Sequence, residues 1–340
     1  MKRPTISDIA RRAGASKATV SFALNGRPGV SEATRRRILA IAEEIGWSPN
    51  SAARALTGAA AGAVGLALCR PARTLGIEPF FMELISGMEA ELSARSCALT
   101  LQVVPDPETE IAAYRRWWAE RRVDGVFLCD LRVADPRVPV LAELQLPAVV
   151  VGGPAGSGGL HSVASNDAAS IVETVRYLAA LGHRRVARVS GLPELQHTAI
   201  RGTAFAEICD ELGLEQAVTV TSDYTGEDGA RATRRLLSGA PRPTAIIYDN
   251  DIMAIAALSV AQEMGLRVPE DLSIVAWDDS ALCQLVNPSL TALSRDIPGY
   301  GAHAARHLLA LIAGEQPVAD HRDEAAHLIP RRSTAPPREA

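Results

Sequence analysis

Residues 16–25 read SKATVSFALN, and the spacing around this stretch decides how the N-terminal region folds. Ala10, Gly14 and Val20 have the spacing of a helix-turn-helix. This motif needs a small residue where two helices cross, a glycine with positive φ in the turn, and a branched apolar residue between the helices. The stretch is therefore predicted to be the second helix of a helix-turn-helix.

Capping residues mark three helices in this region. Thr5 and Asp8 have the capping-box form that opens a first helix, and Ser16 has the form of an N-cap for the second. A third helix is predicted to begin after Ser31 and to end at Gly46, because apolar residues recur between them at helical spacing.

Charge is distributed unevenly along the 340-residue chain. Residues 1–60 contain ten Lys/Arg and four Asp/Glu, although the whole chain has a formal net charge of −4. The sequence therefore combines a small basic head with a larger acidic body. A compact basic helical module is typical of nucleic-acid binding.

The second helix of a helix-turn-helix enters the DNA major groove, so its exposed residues are the candidates for reading bases. These are Lys17, Ala18 and Phe22, of which Lys17 alone carries a donor for guanine. Ala18 and Phe22 are expected to contact thymine methyl groups. The alternative is that Phe22 packs in the core of the head, but Val20 and Leu24 already supply the inward face.

Small polar residues around the same helix are expected to contact phosphates, which sets register without specifying sequence. The predicted phosphate contacts are Thr5, Ser16, Thr19, Ser21 and Asn25.

The segment WSPNSAARAL, residues 47–56, predicts a short helix that needs a partner. Its proline and asparagine precede roughly seven helix-favouring residues, fewer than the roughly 12–15 that an isolated helix needs in water. The following TGAAAGA, residues 57–63, is rich in small residues and reads as a flexible junction.

From Gly62 onward, apolar runs such as AVGLAL, GVFLC, RVARVS and LSIVAW alternate with helical stretches. This alternation predicts an α/β body with parallel sheets covered by helices on both faces. Eight or more strands could also form a single sheet.

Residues 5–56, TISDIARRAGASKATVSFALNGRPGVSEATRRRILAIAEEIGWSPNSAARAL, resemble the DNA-binding head and hinge of the lactose-repressor (LacI/GalR) family of bacterial transcription regulators, and the resemblance continues through the chain. It implies a homodimer on double-stranded operator DNA. The paired hinge helices would open the minor groove with a leucine, here Leu56. The hinge residues assigned to the minor groove are Asn50, Ala53, Arg54 and Leu56.

The resemblance also implies a body like the type I periplasmic sugar-binding proteins, with two lobes, each built on a doubly wound parallel sheet. The expected domains are a helix-turn-helix head at 1–48, a hinge helix and linker at 49–60, and a body at 61–340 whose lobes interleave as 61–161 with 292–323 and 162–291 with 324–340.

A small-molecule effector, a carbohydrate on this reading, is expected between the lobes, outside the carboxyl ends of the strands. By resemblance, Arg201, Asn250 and Asp278 match the residues that hold a sugar or similar polar effector. Phe81 and Tyr224 are candidates for stacking on a ring, although aromatic residues at such positions are as readily core.

One departure from the family pattern affects the first lobe. After the strand AVVV, many relatives place an aspartate that reaches the ligand, whereas this chain has Gly152 and Gly153. The glycine-rich stretch that follows matches neither GxGxxG nor a P-loop, so no nucleotide is expected there.

Other classes of protein and site are disfavoured. The chain has no run of 18 apolar residues and no signal peptide, so a cytoplasmic protein without membrane association is expected. The five cysteines lack CxxC spacing, and His303 and His307 read as two surface histidines, so no metal or other cofactor is expected. No nucleophile motif appears, and an enzyme is disfavoured.

Two alternatives stay open beside a sugar-responsive repressor. The same regulator could respond to a nucleobase, a nucleoside or a phosphorylated metabolite. A protein of a different class, a sugar-binding receptor or transport component, would use the same body, but the intact basic head argues against it.

Overall fold

The computed structural model describes residues 4–47, 60–71, 75–153, 157–317, 320–322 and 325–338. The chain divides into two compact units, Met1–Ala61 and Gly62–Ala340. Among the described residues, no helix combines the length and the apolar character that a membrane span requires.

The head consists of α1 (Ile6–Ala13), α2 (Lys17–Leu24) and α3 (Glu32–Glu44). The predicted turn is confirmed, because Gly14 adopts a φ of 58° after α1. The predicted N-caps of α2 and α3 are also confirmed: the Ser16 and Ser31 hydroxyls accept the backbone N–H groups of Thr19 and Thr34.

The three helices of the head enclose a small apolar core. Val20 on α2 is fully buried together with Ile9 of α1 and Ile38 of α3. Phe22 lies outside this core and is 40% exposed. The alternative that Phe22 packs into the head is therefore wrong.

The body contains two six-stranded sheets. This confirms the prediction of two lobes and excludes a single sheet. The first sheet has the order β11-β5-β4-β3-β1-β2, and its strands are all parallel. The strands are β1 (Ala63–Leu68), β2 (Ala98–Val103), β3 (Gly125–Cys129), β4 (Ala148–Val151), β5 (His161–Ala164) and β11 (Asp320–Arg322).

The second sheet has the order β12-β10-β9-β8-β6-β7. Its strands are β6 (Arg185–Ser190), β7 (Gln216–Thr221), β8 (Ala245–Tyr248), β9 (Ser273–Trp277), β10 (Thr291–Ser294) and β12 (His327–Ile329). The expected parallel sheet is modified at its edge, since β12 runs antiparallel to β10. An antiparallel edge strand is common on sheets of this kind, because an edge strand forms hydrogen bonds with only one neighbouring strand.

Helices connect the strands of both sheets. They are α4 (Pro79–Ala94), α5 (Pro107–Ala119), α6 (Arg137–Leu144), α7 (Asp167–Ala180), α8 (Gln196–Glu211), α9 (Gly226–Ser238), α10 (Asp251–Glu263), α11 (Ala281–Leu285) and α12 (Ile297–Ile312).

In the central strands, alternate residues face opposite apolar cores, as expected when a sheet is buried on both faces. In β3, Phe127 packs in the core formed with α4 and α12, whereas Val126 and Leu128 pack in the core formed with α5 and α6. Where α4 and α12 cross, a Cβ added to Gly87 would lie 1.9 Å from the Pro298 carbonyl oxygen, so these helices approach closely because Gly87 has no side chain.

The chain crosses between the sheets three times: after β5, after β10, and between β11 and β12. His307 differs from its expected surface position. It is buried on α12, with its Nε2 3.1 Å from Nδ1 of His161.

Candidate functional site

A cleft lies at the carboxyl ends of the strands of both sheets. In each sheet the strand order reverses beside the first strand, between β1 and β3 and between β6 and β8. Such switch points are where ligands bind in doubly wound sheets. The charged residues that line the cleft are Arg70, Glu78, Asp130, Asp167, Arg201, Asp249, Asp278 and Arg295.

Four of the five residues expected at an effector site line this cleft: Phe81, Arg201, Tyr224 and Asp278. Phe81 and Tyr224 are at the same time buried among apolar side chains, one in each lobe. Each ring is therefore both part of the apolar core and part of the wall of the cleft.

Asn250 takes a different place from the one expected. It is buried and is not among the residues that line the cleft. Its Oδ1 accepts the Met253 N–H at 2.9 Å and so caps α10, while its Nδ2 donates to the Tyr224 carbonyl at 3.0 Å. Both ends of the amide are therefore engaged, and its chain neighbour Asp249 reaches the cleft instead.

The first lobe contributes a guanidinium that sequence reasoning missed. Arg70, which follows β1, donates from Nε to Oδ2 of Asp130 at 2.7 Å, and its guanidinium lies 4.6 Å from the centre of the Tyr224 ring. Burial alone would raise the pKa of Asp130, but the Arg70 guanidinium outweighs it and lowers that pKa to about 2. The pair therefore stays charged at neutral pH.

A buried network holds Asp130 in place. Arg137 donates to the carbonyl oxygens of Cys129 and Asp130 at 3.1 and 2.8 Å, and it pairs with Glu110 and Asp135. Asp130 has a φ of 52°, which side chains other than glycine rarely adopt. The network keeps the chain in this conformation, and so aims the carboxylate at Arg70.

In the second lobe, Arg201 on α8 forms the centre of the site. Its Nε donates to Oδ2 of Asp167 at 2.8 Å, and its guanidinium lies 3.6 Å from the centre of the Trp277 ring. Burial alone would raise the pKa of Asp167, but the charges of Arg201 and then Arg295 outweigh this effect. The pKa of Asp167 therefore lies below its usual value. Arg201 is thus fixed by a charged partner and by stacking.

Asp278 and Arg295 form a second pair, where the chain crosses between the lobes. Arg295 Nη2 lies 3.1 Å from Asp278 Oδ1, and Arg295 Nη1 donates to the Ser165 hydroxyl at 3.2 Å. The Asp278 Oδ1 and the Arg295 Nε have no hydrogen-bond partner among the described residues, since the ion pair lacks hydrogen-bond geometry. These two buried atoms can each receive a polar ligand group.

Tyr224 has a φ of 69° and a hydroxyl that is 2.7 Å from His197 Nε2 and 3.0 Å from the Thr198 hydroxyl. Burial, followed by the nearby Arg201, lowers the pKa of His197 to about 4. The imidazole is therefore neutral at pH 7. It forms a hydrogen bond with the Tyr224 hydroxyl and adds no charge to the cleft.

Glu78, directly before α4, was also missed by sequence reasoning. It is 7% exposed, and its Oε2 has no hydrogen-bond partner among the described residues. Burial raises the pKa of this carboxyl group to about 7, despite the opposing effect of Arg70. Gly152 and Gly153 also line the cleft, so the polar groups of the first lobe come from Arg70, Glu78 and Asp130 instead.

On the head, the three residues expected to read bases lie together on one face of α2. Lys17, Ala18 and Phe22 are all exposed. The Arg27 guanidinium lies 6.0 Å from the centre of the Phe22 ring. This face combines one ammonium group with an apolar surface.

The polar residues expected at phosphates form hydrogen bonds within the head. The Thr5 hydroxyl donates to Asp8 at 2.6 Å, and the Ser16 and Thr19 hydroxyls lie 2.9 Å apart. Asn25 Nδ2 donates to the carbonyl oxygen of Ser21 at 2.8 Å. The expected hinge residues Asn50, Ala53, Arg54 and Leu56 lie outside the described residues.

Comparison with known proteins gives two matching family profiles. The profile "Bacterial regulatory proteins, lacI family" matches residues 5–50, and "Periplasmic binding protein-like domain" matches residues 175–334. These ranges cover the three helices of the head and all six strands of the second sheet.

Two relatives match nearly end to end. The HTH-type transcriptional regulator CelR of Thermobifida fusca is 31% identical, over 98% of each chain. The HTH-type transcriptional repressor PurR of Escherichia coli is also 31% identical, over 97% of each chain.

Solved structures agree with these matches. A LacI family transcriptional regulator from Bifidobacterium animalis is 41% identical with a TM-score of 0.75, covering 82% of this chain and 99% of that chain. The complex of CelR with cellobiose is 30% identical with a TM-score of 0.75, covering 97% and 100%. The chain thus belongs to the LacI family of bacterial regulatory proteins, and it is a DNA-binding transcription regulator with a periplasmic-binding-protein-like body.

Proposed function

We propose that the chain is a repressor that binds a palindromic operator as a homodimer and responds to a small carbohydrate. The observation that carries the proposal is the cleft, where Arg201 and Asp278 face the same space as the Phe81 and Tyr224 rings. Charged hydrogen-bonding groups beside aromatic faces suit a ligand with many hydroxyls on an apolar ring.

The cleft also supports control of the protein by its ligand. Its lining comes from both lobes, with Arg70 following β1 of the first sheet and Asp249 following β8 of the second. A ligand held by both lobes favours the arrangement in which its partners converge. It shifts the equilibrium by the difference between its affinities for the two arrangements.

The relatives support a carbohydrate, since the solved structure of CelR is a complex with cellobiose. A nucleobase or a nucleoside is the second candidate effector. The aromatic side chains in the cleft would stack on either type of ring.

For the head, we propose that Lys17, Ala18 and Phe22 read bases, and that Thr5, Ser16, Thr19, Ser21 and Asn25 contact phosphates. For the hinge, we propose that Asn50, Ala53, Arg54 and Leu56 lie in the minor groove. The exposed face of α2 supports the first assignment. The hydroxyls of the head can each keep an internal bond and still interact with a phosphate, because a hydroxyl both donates and accepts.

The test begins with an operator selected by the full-length protein from a random DNA library. Fluorescence anisotropy then measures operator affinity with and without single compounds from a panel of mono- and disaccharides, cellobiose included, and of purines. We expect one saccharide to change operator affinity at least tenfold. A response to purines alone would contradict the carbohydrate assignment, and a half-site without a palindrome would contradict the dimer.

A further inference from the structure

The charges in the cleft are nearly all paired before any ligand enters. Of the described residues that line it, three are arginines, and each has an aspartate partner: Arg70 with Asp130, Arg201 with Asp167, and Arg295 with Asp278. An anionic ligand that draws one of these guanidinium groups away from its aspartate leaves that buried carboxylate without its partner.

Two further carboxylates line the same cleft. Asp249 is paired from behind by the buried Arg188. Glu78 is the remaining carboxylate, buried, with its Oε2 lacking a hydrogen-bond partner among the described residues. Negative charge therefore exceeds positive charge in the lining, so the cleft opposes an anion on electrostatic grounds as well.

The buried atoms without partners indicate what the ligand supplies. Glu78 Oε2 and Asp278 Oδ1 are acceptors that each need a donor, whereas Arg295 Nε is a donor that needs an acceptor. A sugar hydroxyl both donates and accepts and can therefore pair with any of the three atoms, whereas a phosphate or carboxylate group offers acceptors only. A buried acceptor left without a donor costs free energy that a donating ligand recovers.

We propose, building on the proposed function, that this cleft selects an uncharged effector that donates hydrogen bonds, with Glu78 as a specificity-determining acceptor, and that it excludes phosphorylated and carboxylated relatives of that effector. The burial that brings the pKa of Glu78 to about 7 agrees with this role, since it outweighs the opposing effect of Arg70 and leaves the carboxylate only partly compensated in the free protein.

The first experiment compares matched probes on the full-length protein. Each neutral sugar of the panel is tested beside its uronate and its 6-phosphate, and each nucleoside beside its monophosphate. Isothermal titration calorimetry measures affinity. We expect the neutral member of a binding set to bind at least about tenfold more tightly than its charged partners, the size of one lost bond to a charged group. A charged member that binds as tightly as the neutral one, or more tightly, overturns the proposal.

The second experiment replaces Glu78 with glutamine and uses Glu89→Gln as the matched control. Glu89 lies on α4, partly exposed, and is not among the residues that line the cleft. Glu78→Gln should weaken binding of the neutral effector about tenfold, since an amide oxygen accepts less strongly than a carboxylate. It should also raise the melting temperature of the ligand-free protein by about 2 °C, because it removes a buried charge that Arg70 compensates only in part. The control should change neither.

The outcomes separate this proposal from the carbohydrate assignment. If the protein binds a nucleoside and no sugar, the carbohydrate assignment is wrong. The comparison of that nucleoside with its monophosphate still tests whether the cleft prefers a neutral effector. The melting temperature needs no ligand at all. If Glu78→Gln lowers it by several degrees, Glu78 stabilises the free protein, and its assignment to the effector is overturned.

Discussion

Arg188 and Asp249 form a bidentate ion pair inside the second lobe. Arg188 donates from Nε to Oδ1 at 2.8 Å and from Nη2 to Oδ2 at 2.5 Å, and both side chains are buried. Asp249 also presents its backbone carbonyl to Arg201 at 3.5 Å. The position of one cleft arginine thus depends on a second arginine within β6, which does not itself line the cleft.

We expect Arg188→Met to lower the free energy of unfolding by about 3–5 kcal/mol, because removing one partner of a buried pair leaves the other charge uncompensated. Arg201 compensates the remaining charge only in part, since its Nη1 lies 4.0 Å from Asp249 Oδ2. The double variant Arg188→Met/Asp249→Leu should recover most of the loss. Urea denaturation measures the free energy of unfolding of the wild type and both variants. Equal losses of stability in the single and double variants would contradict the pairing.

Arg201→Lys and Asp278→Asn should abolish the effector response and leave operator affinity within about twofold of the wild type. The reason is linkage, since a ligand that loses its contacts loses its power to shift the equilibrium. Arg176→Ala is the matched control, because Arg176 pairs with Glu211 on the exposed surface. Calorimetry that finds wild-type effector affinity in both cleft variants would exclude this site.

Phe22→Arg should change the preferred base at one position of each half-site towards guanine. Phenylalanine has no donor for a base, whereas arginine donates to guanine O6 and N7. Lys17→Ala should relax the preference at its own position by about 1–3 kcal/mol, the usual contribution of a good base contact. Operator selection from a random library checks both variants.

The control for Phe22 is Leu39→Arg, which adds the same charge at an exposed apolar position of α3. This variant should keep the wild-type half-site. Identical half-sites for the wild type and Phe22→Arg would show that Phe22 does not face the bases.

Leu56→Ala should weaken operator binding and reduce DNA bending without unfolding the head. An apolar side chain inserted at a base step stabilises bent DNA rather than the free protein. Circular-permutation gel shifts measure the bend, and circular dichroism measures helix content. Unchanged bending and affinity would contradict the assignment of the hinge.

His183 should make the body less stable in mild acid. Burial lowers its pKa from 6.5 to about 4, and its ring nitrogens lie within 3.1 Å of the Thr244 and Ser273 hydroxyls. Between these two pKa values the unfolded state binds the proton and the folded state does not. Stability is therefore lost as the pH falls below 6.5.

The measurement compares wild type and His183→Gln by urea denaturation at pH 7.5 and pH 5. The wild type should lose about 1–2 kcal/mol more than the variant between these pH values, because one pKa unit corresponds to about 1.4 kcal/mol. Parallel losses in the two proteins would assign the acid sensitivity to other groups.

The head could be predicted from local signals. Ser16 and Ser31 cap helices through contacts three residues away, and Gly14 makes its turn through its own backbone freedom. Contacts of this range are readable in sequence because the interacting groups are chain neighbours. The exposure of Phe22 followed in the same way from helical periodicity around Val20.

The cleft was predictable only in part. Arg201 and Asp278 were assigned from family resemblance, and both line the cleft. Asn250 was assigned in the same way, yet its amide caps α10 and contacts the Tyr224 carbonyl. A residue directly after a strand can face the ligand or cap the next helix, and the local backbone conformation decides between these two roles.

By itself, the sequence determined the helix-turn-helix, the basic head, the alternation of strands and helices, and the family. These depend on contacts within a few residues or on a pattern repeated along the chain. Tertiary structure alone decided that Arg70 would meet Asp130, that Arg188 would hold Asp249, and that Glu78 Oε2 would have no hydrogen-bond partner among the described residues. Such groups come from strand ends and helix starts far apart in the chain. Their ionisation and pairing depend on burial and distance, which exist only once both sheets have formed.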